Sequence, residues 1–219
     1  MALMSRSARI GEPVRRKEDE RLITGKGCFS GDVNIPQQVF AAIVRSPHAH
    51  ARIRSIDSRQ ALKVPGVLSI LTGADLRADG LKPIPHKPLA LNPGIPPLAN
   101  RDGAPIFEGP HHLLAQDKVR HVGEAVAVVI GQTVDIAKDG ADEVEVDYEV
   151  LPAVIETRAA AEPSAPRLWD ETSSNVCLDA EVGAPDATAA AFARATHVVK
   201  LDTWIQRVTG VPMEPRAVR

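Results

Sequence analysis

The stretch that most constrains the fold is residues 119–154, because the period of its apolar residues changes within it. Residues 126–130 (VAVVI) are an unbroken apolar run, the pattern of a strand covered on both faces. Gly131 and Gln132 read as a turn. Thr133 follows as a helix N-cap, whose hydroxyl accepts from a first-turn amide. Val134, Ala137, Ala141 and Val144 then fall on one stripe of a helix of about three turns. Gly140 interrupts it at a cost of about 1 kcal/mol relative to Ala, so this helix relies on packing rather than propensity. From Val144 the period is two: Val144, Val146, Tyr148 and Val150 alternate with Glu145, Asp147 and Glu149. That is a strand with one acidic face. The expectation is a compact β-α-β unit.

The chain before it carries shorter signals. Residues 15–23 (RRKEDERLI) read as a short charged helix, stopped by Gly25 and Gly27. Residues 39–45 (VFAAIVR) read as a strand ended by Ser46-Pro47. Residues 51–57 (ARIRSID), with Ile53 and Ile56 inward, read as its partner. Ser58 is placed to cap a short helix through Lys63. Pro65-Gly66 turns the chain into a third strand at 67–71, and Thr72 or Gly73 opens another helical turn. Residues 80–110 differ: Pro83, Pro85, Pro88, Pro93, Pro96, Pro97, Pro105 and Pro110 preclude regular elements there. A connection of this length is expected to be a functional loop or a segment draped over another surface.

After the organising unit, residues 152–175 read as a loop. Residues 187–195 read as a helix with Asp186 as cap or first-turn acid, and 197–205 (HVVKLDTWI) as a final strand. Residues 206–219 show no sign of a domain ending, which points to a chain that continues in relatives or docks onto another subunit.

A formal net charge of −2 gives no reason to expect nucleic acid or an anionic membrane as partner. The two cysteines, Cys28 and Cys177, form no CxxC pair, so a reducing, cytoplasmic setting is expected. No apolar run approaches the roughly 20 residues of a membrane span, and the basic N-terminus lacks the apolar core of a signal peptide.

The residues alone show no catalytic constellation. His48 and His50 sit two apart, His111 and His112 are adjacent, and His86, His121 and His197 stand alone; none matches zinc-ligand spacing. Turn histidines, solvated or hydrogen-bonded, are the simpler reading. Nucleophile-elbow, P-loop and dinucleotide motifs are absent. Glu143, Glu145, Asp147 and Glu149 read as a solvated sheet face. Cys28, in a glycine-rich turn, reads as a small structural residue rather than a reactive thiol. No catalytic, cofactor-binding or metal-ligating residue is therefore assigned.

Five segments taken in series carry a resemblance. They are residues 11–29 (GEPVRRKEDERLITGKGCF), 44–57 (VRSPHAHARIRSID), 65–76 (PGVLSILTGADL), 119–154 and 207–217 (RVTGVPMEPRA). In order and spacing they resemble the N-terminal part of the molybdopterin-binding large subunit of the xanthine dehydrogenase/aldehyde oxidase family. Carbon monoxide dehydrogenase and several N-heterocycle dehydrogenases are relatives. The resemblance implies an α+β fold, an α/β-hammerhead domain followed by the beginning of a molybdenum-cofactor-binding domain. The implied bounds are an arm at 1–17, the hammerhead at 18–155 with its Pro-rich loop at about 80–110, a linker at 156–174 and an incomplete cofactor domain at 175–219.

The implied activity is oxidative hydroxylation with oxygen from water, electrons passing to iron–sulfur clusters and FAD on partner subunits or domains. The family's cofactor-binding loops and general-base glutamate map onto no residue here. The chain alone is thus expected to bind no molybdopterin, and to act only with a separate chain that holds the molybdenum site. The alternative is a non-catalytic interaction module or an inactive truncated copy. Departures from the family pattern are Gly31, Ala125 and Gly140.

Overall fold

The computed structural model describes Gly11, residues 16–85 and residues 99–205. The expectations for most of the N-terminal arm, for the centre of the Pro-rich loop with His86, and for residues 206–219 lie outside the described residues. The chain divides into two compact units, one of residues 39–200 and one joining residues 1–38 to 201–219.

In the smaller unit, α1 (Asp19–Ile23) is shorter than the charged helix expected at 15–23. The Thr24 hydroxyl donates to the Glu20 carbonyl at 2.6 Å, and Gly25 takes a φ of 71°. That left-handed residue ends the helix where the sequence places its stop.

The larger unit holds β1 (Phe40–Arg45), β2 (Ala51–Asp57), β3 (Val67–Thr72), α2 (Gly73–Ala78), β4 (Lys118–Val119), β5 (Ala125–Gly131), α3 (Val134–Asp142), β6 (Glu145–Val150), α4 (Thr157–Ala160) and α5 (Pro185–Arg194). The strands form two three-stranded antiparallel sheets, ordered β1-β5-β3 and β4-β2-β6. This corrects two expectations. β5 and β6 flank α3 but lie in different sheets, so they do not make a parallel β-α-β crossover. β2 pairs with β4 and β6 rather than with β1. The acidic–apolar alternation of β6 matches the basic–apolar alternation of β2: Arg52 and Arg54 each lie 3.6 Å from the Glu149 carboxylate. Opposed side chains of this kind favour the pairing.

A register shift between Ile53 and Ser55 explains how Ile53 and Ile56, three residues apart, both turn inward. One extra residue in a strand restores the inward phase after the bulge.

α3 begins at Thr133, whose side chain accepts the Ile136 amide at 3.2 Å, as the sequence indicates. Its buried face differs from the expected stripe: Ala137 and Gly140 are buried, whereas Val134 is 44% exposed. Val129 of β5 is fully buried and shares a core cluster with Ala61 and Val144. A second cluster joins Ala51, Ala115, Val119 and Val126. α2 carries a capping box, Thr72 with Asp75, the Thr72 amide donating to the carboxylate at 2.7 Å. The helix expected from Ser58 reduces to one 3-10 turn at Ala61–Lys63, and residues 152–175, expected as loop, include the single turn α4.

Residues 197–205 form no strand among the described residues; they are exposed, Val199, Leu201, Trp204 and Ile205 by 78% or more. Their β-pattern finds no neighbour to complete a hydrogen-bonded ladder, which a strand requires.

Candidate functional site

A cleft of about 290 Å³ lies between residues 109–124 and the pair Trp169 and Glu171. Its centre is Arg120, which directly follows β4. The guanidinium lies over the Trp169 ring, 3.7 Å from the centroid, as expected of a cation on an aromatic face. Its Nε donates to the Leu168 carbonyl at 3.1 Å and its Nη1 to the Lys118 carbonyl at 3.3 Å. The Arg120 backbone amide donates to the Glu124 carboxylate, which also lies 3.6 Å from His121 Nδ1. Burial pulls the Arg120 pKa down, against the charges of Glu124, Glu171, Asp170 and Asp117.

Trp169 is fixed from other sides too. Phe107 meets it edge to face, with centroids 5.7 Å apart. Gly109 packs so closely that a Cβ there would sit 2.8 Å from the indole Cζ2. Beside it the buried Lys118 ammonium donates to both Asp170 oxygens, at 2.8 and 2.7 Å. That bond holds the Asp170 carboxyl below its usual range.

The residues expected as a linker are therefore tied down. Asn175 reinforces this: its amide donates to the Ala160 and Pro166 carbonyls and its Oδ1 accepts the Leu168 amide. Arg101 pairs with Asp179 at 2.8 Å. Residues 99–110, where prolines exclude regular structure, are clipped to 166–179 by these contacts.

The seven histidines distribute unevenly. His111, His112 and His121, which the sequence shows only as a pair and a singleton, line the same cleft. Gln116 Nε2 lies 3.1 Å from His112 Nδ1; an amide N–H donating there leaves the imidazole proton on Nε2. His48 and His50 do not converge. His48 meets Tyr148 edge to face at 5.0 Å, while buried His50 places Nδ1 2.7 Å from the Pro152 carbonyl. His50 Nε2 and the Tyr148 hydroxyl are buried without a hydrogen bond of ordinary geometry. Burial pushes the Tyr148 pKa up, and the Ser46 side chain only partly offsets this. His197 is exposed, and Cys28 and Cys177 are exposed free thiols. Glu143, Glu145 and Asp147 face solvent. No sequence signal pointed to Trp169 or to Arg120, since their partner segments lie about 50 residues apart along an irregular chain.

Arg120, His111, His112 and His121 line the cleft together with the carboxylates of Asp117, Glu124 and Glu171. Among the described residues no group of three His, Cys, Asp or Glu could hold a metal ion. No helix among them is long and apolar enough to cross a membrane.

Residues 24–91 and 94–152 match the family model described as aldehyde oxidase and xanthine dehydrogenase, a/b hammerhead domain. The chain is 36% identical to the 6-hydroxypseudooxynicotine dehydrogenase complex subunit gamma of Paenarthrobacter nicotinovorans, over 98% of this chain and 25% of that protein. It is 36% identical to the carbon monoxide dehydrogenase large chain of Afipia carboxidovorans, over 94% of this chain and 24% of that one. The solved structure of a Cu,Mo-CO dehydrogenase superposes with a TM-score of 0.65 at 32% identity, covering 85% of this chain and 23% of that chain. The chain thus spans about a quarter of the length of the curated relatives it matches.

Proposed function

The chain belongs to the aldehyde oxidase and xanthine dehydrogenase family through its a/b hammerhead domain, and on that footing we propose that it serves as a non-catalytic segment of a molybdenum hydroxylase large subunit. It contributes to oxidative hydroxylation by folding against the polypeptide that binds molybdopterin and the substrate. Iron–sulfur and FAD subunits complete the electron path, in the cytoplasm. The finer bounds go with this reading: hammerhead at 18–155, a linker at 156–174, and the start of the cofactor domain from 175.

The observation that carries the proposal is the unbroken exposure of residues 181–205, α5 included. A ten-residue helix with no buried residue is marginal in water on its own. Phe192 within it and Val199, Leu201, Trp204 and Ile205 later in the chain stand open, and open apolar surface marks a contact site. The relatives, with the same stretch inside a chain about four times as long, support a larger body that covers it.

The test is isolation of the tagged full chain from the cells that make it, with co-isolated polypeptides identified and absorbance recorded. A flavin and iron–sulfur spectrum with stoichiometric partners is the expected result. A colourless, partnerless chain would overturn the proposal.

A further inference from the structure

The unbroken apolar run of β5 fits a strand covered on both faces, yet past buried Val126 one of those faces is only partly covered, at Val128 and Ile130. Register places Ile43 of β1 and Leu71 of β3 opposite Val128, and Ala41 and Ser69 opposite Ile130. These residues share one face of the sheet, since directly opposed side chains project the same way. The other face, with Val67 and Val129, meets α3 at Gly140. Val128, Ile130, Leu71 and Ile43 belong to neither core cluster. Ile43 is 46% exposed, and Val128, Ile130 and Leu71 are only half-buried. The middle of a three-stranded sheet is thereby left with aliphatic side chains open to solvent.

We propose that this face, carried by Ile43, Leu71, Val128 and Ile130, is the surface on which the molybdenum-bearing remainder of the large subunit packs, through an aliphatic and uncharged face of its own. The proposal rests on the functional reading above. Three features favour this occupant. Apart from Arg45 at the end of β1, the surface carries no charge, as in permanent rather than transient contacts. It is small: three strands about 4.8 Å apart and about 20 Å long give roughly 300 Å². A stable dimer needs about 800 Å² per partner, so a second copy seated here alone would not hold. A body that also covers the exposed residues 181–200 of the same unit adds to that area. Finally, 98% of this chain aligns with a relative that continues well beyond it, so in that protein the same strands fold within a larger subunit.

The experiment uses the tagged full chain, isolated with its partners, and an A41K/I43K double variant on edge strand β1, where both side chains are exposed. V134K, on the exposed side of α3, is the control. Circular dichroism checks that each variant folds. Co-isolated molybdenum and its polypeptide are expected to fall at least about tenfold in A41K/I43K and to stay at wild-type level in V134K. Should the double variant fail to fold, a photo-crosslinking p-benzoylphenylalanine replacing Ala41 is expected to capture the molybdenum-bearing polypeptide. Undiminished molybdenum with folded A41K/I43K, or crosslinks to a second copy of this chain, would overturn the assignment of the face alone. A wild-type chain that isolates without any molybdenum-bearing polypeptide would overturn the functional reading and the occupant together.

Discussion

Gly140→Ala reverses the usual expectation for a glycine in a helix. Propensity alone predicts stabilisation of about 1 kcal/mol from Gly to Ala in a helix interior. Here a Cβ would stand 2.7 Å from Val67 Cγ2 and 3.0 Å from Val129 Cγ1. Val129 is fully buried, and both neighbours are β-branched and restricted at χ1, so neither yields cheaply. Overpacking of a core costs about 1–3 kcal/mol. Setting the upper half of that range against the propensity gain leaves a net loss of about 1–2 kcal/mol, or about 2–8 °C in Tm for a chain of this size. Urea denaturation followed by far-UV circular dichroism reads the change as a lower midpoint with an unaltered slope. Val67→Ala removes the nearer obstacle. In that background the same substitution is expected to be neutral or stabilising, a coupling of about 1–2 kcal/mol between adjacent residues. Stabilisation by Gly140→Ala in the wild-type background would refute the close helix-on-sheet contact.

Three further outcomes are expected. Thr133→Ala removes the acceptor for the Ile136 amide and costs about 1 kcal/mol of stability; an unchanged urea midpoint would contradict the cap. The Asp57 carboxyl, held by bonds from the Arg59 side chain and amide, has its pKa lowered to about 2. A depressed folded value means the interaction is present above the ordinary 3.8 and is lost as pH falls through about 2; a carboxyl-carbon NMR midpoint near 3.8 would contradict it. Gly109→Ala pushes a methyl into the Trp169 indole, so tryptophan emission should shift to the red as Trp169 leaves Phe107 and Arg120, and an unaltered spectrum would count against the tight packing.

The elements with local causes were legible in the sequence. Thr133, Gly25 and Thr72 act within four residues, and each helix boundary they set is where their chemistry places it; Asp75 as the partner of Thr72 emerged only from the structure. The partners of the strands were not legible. Alternation reports that residues 51–57 and 145–150 each have one buried face, and says nothing of which strands share a sheet; that depends on long-range contacts, among them Ile53, Ile56, Val146 and Tyr148 on one core cluster and Arg52 and Arg54 beside Glu149. Gly140 read as a penalty because propensity is local, whereas its reason lies in Val67 and Val129 on other strands. The failed strand at 197–205 has the same origin: its pattern is right for a strand, but a strand needs a neighbour. The cleft was the least legible feature, since Arg120, Trp169 and the histidines converge through irregular segments with no period to read. The family resemblance was legible because five short segments recur in order, and it reaches the fold without naming a reacting residue.

The central claim is that this hammerhead chain works only beside a polypeptide that holds molybdenum. Its most direct test is the molybdenum-to-chain ratio of the complex isolated through the tagged full chain, measured by elemental mass spectrometry. About one molybdenum per chain, at the stoichiometry of its partner, is the expected result. A folded chain recovered with partners but with no molybdenum above background would contradict it.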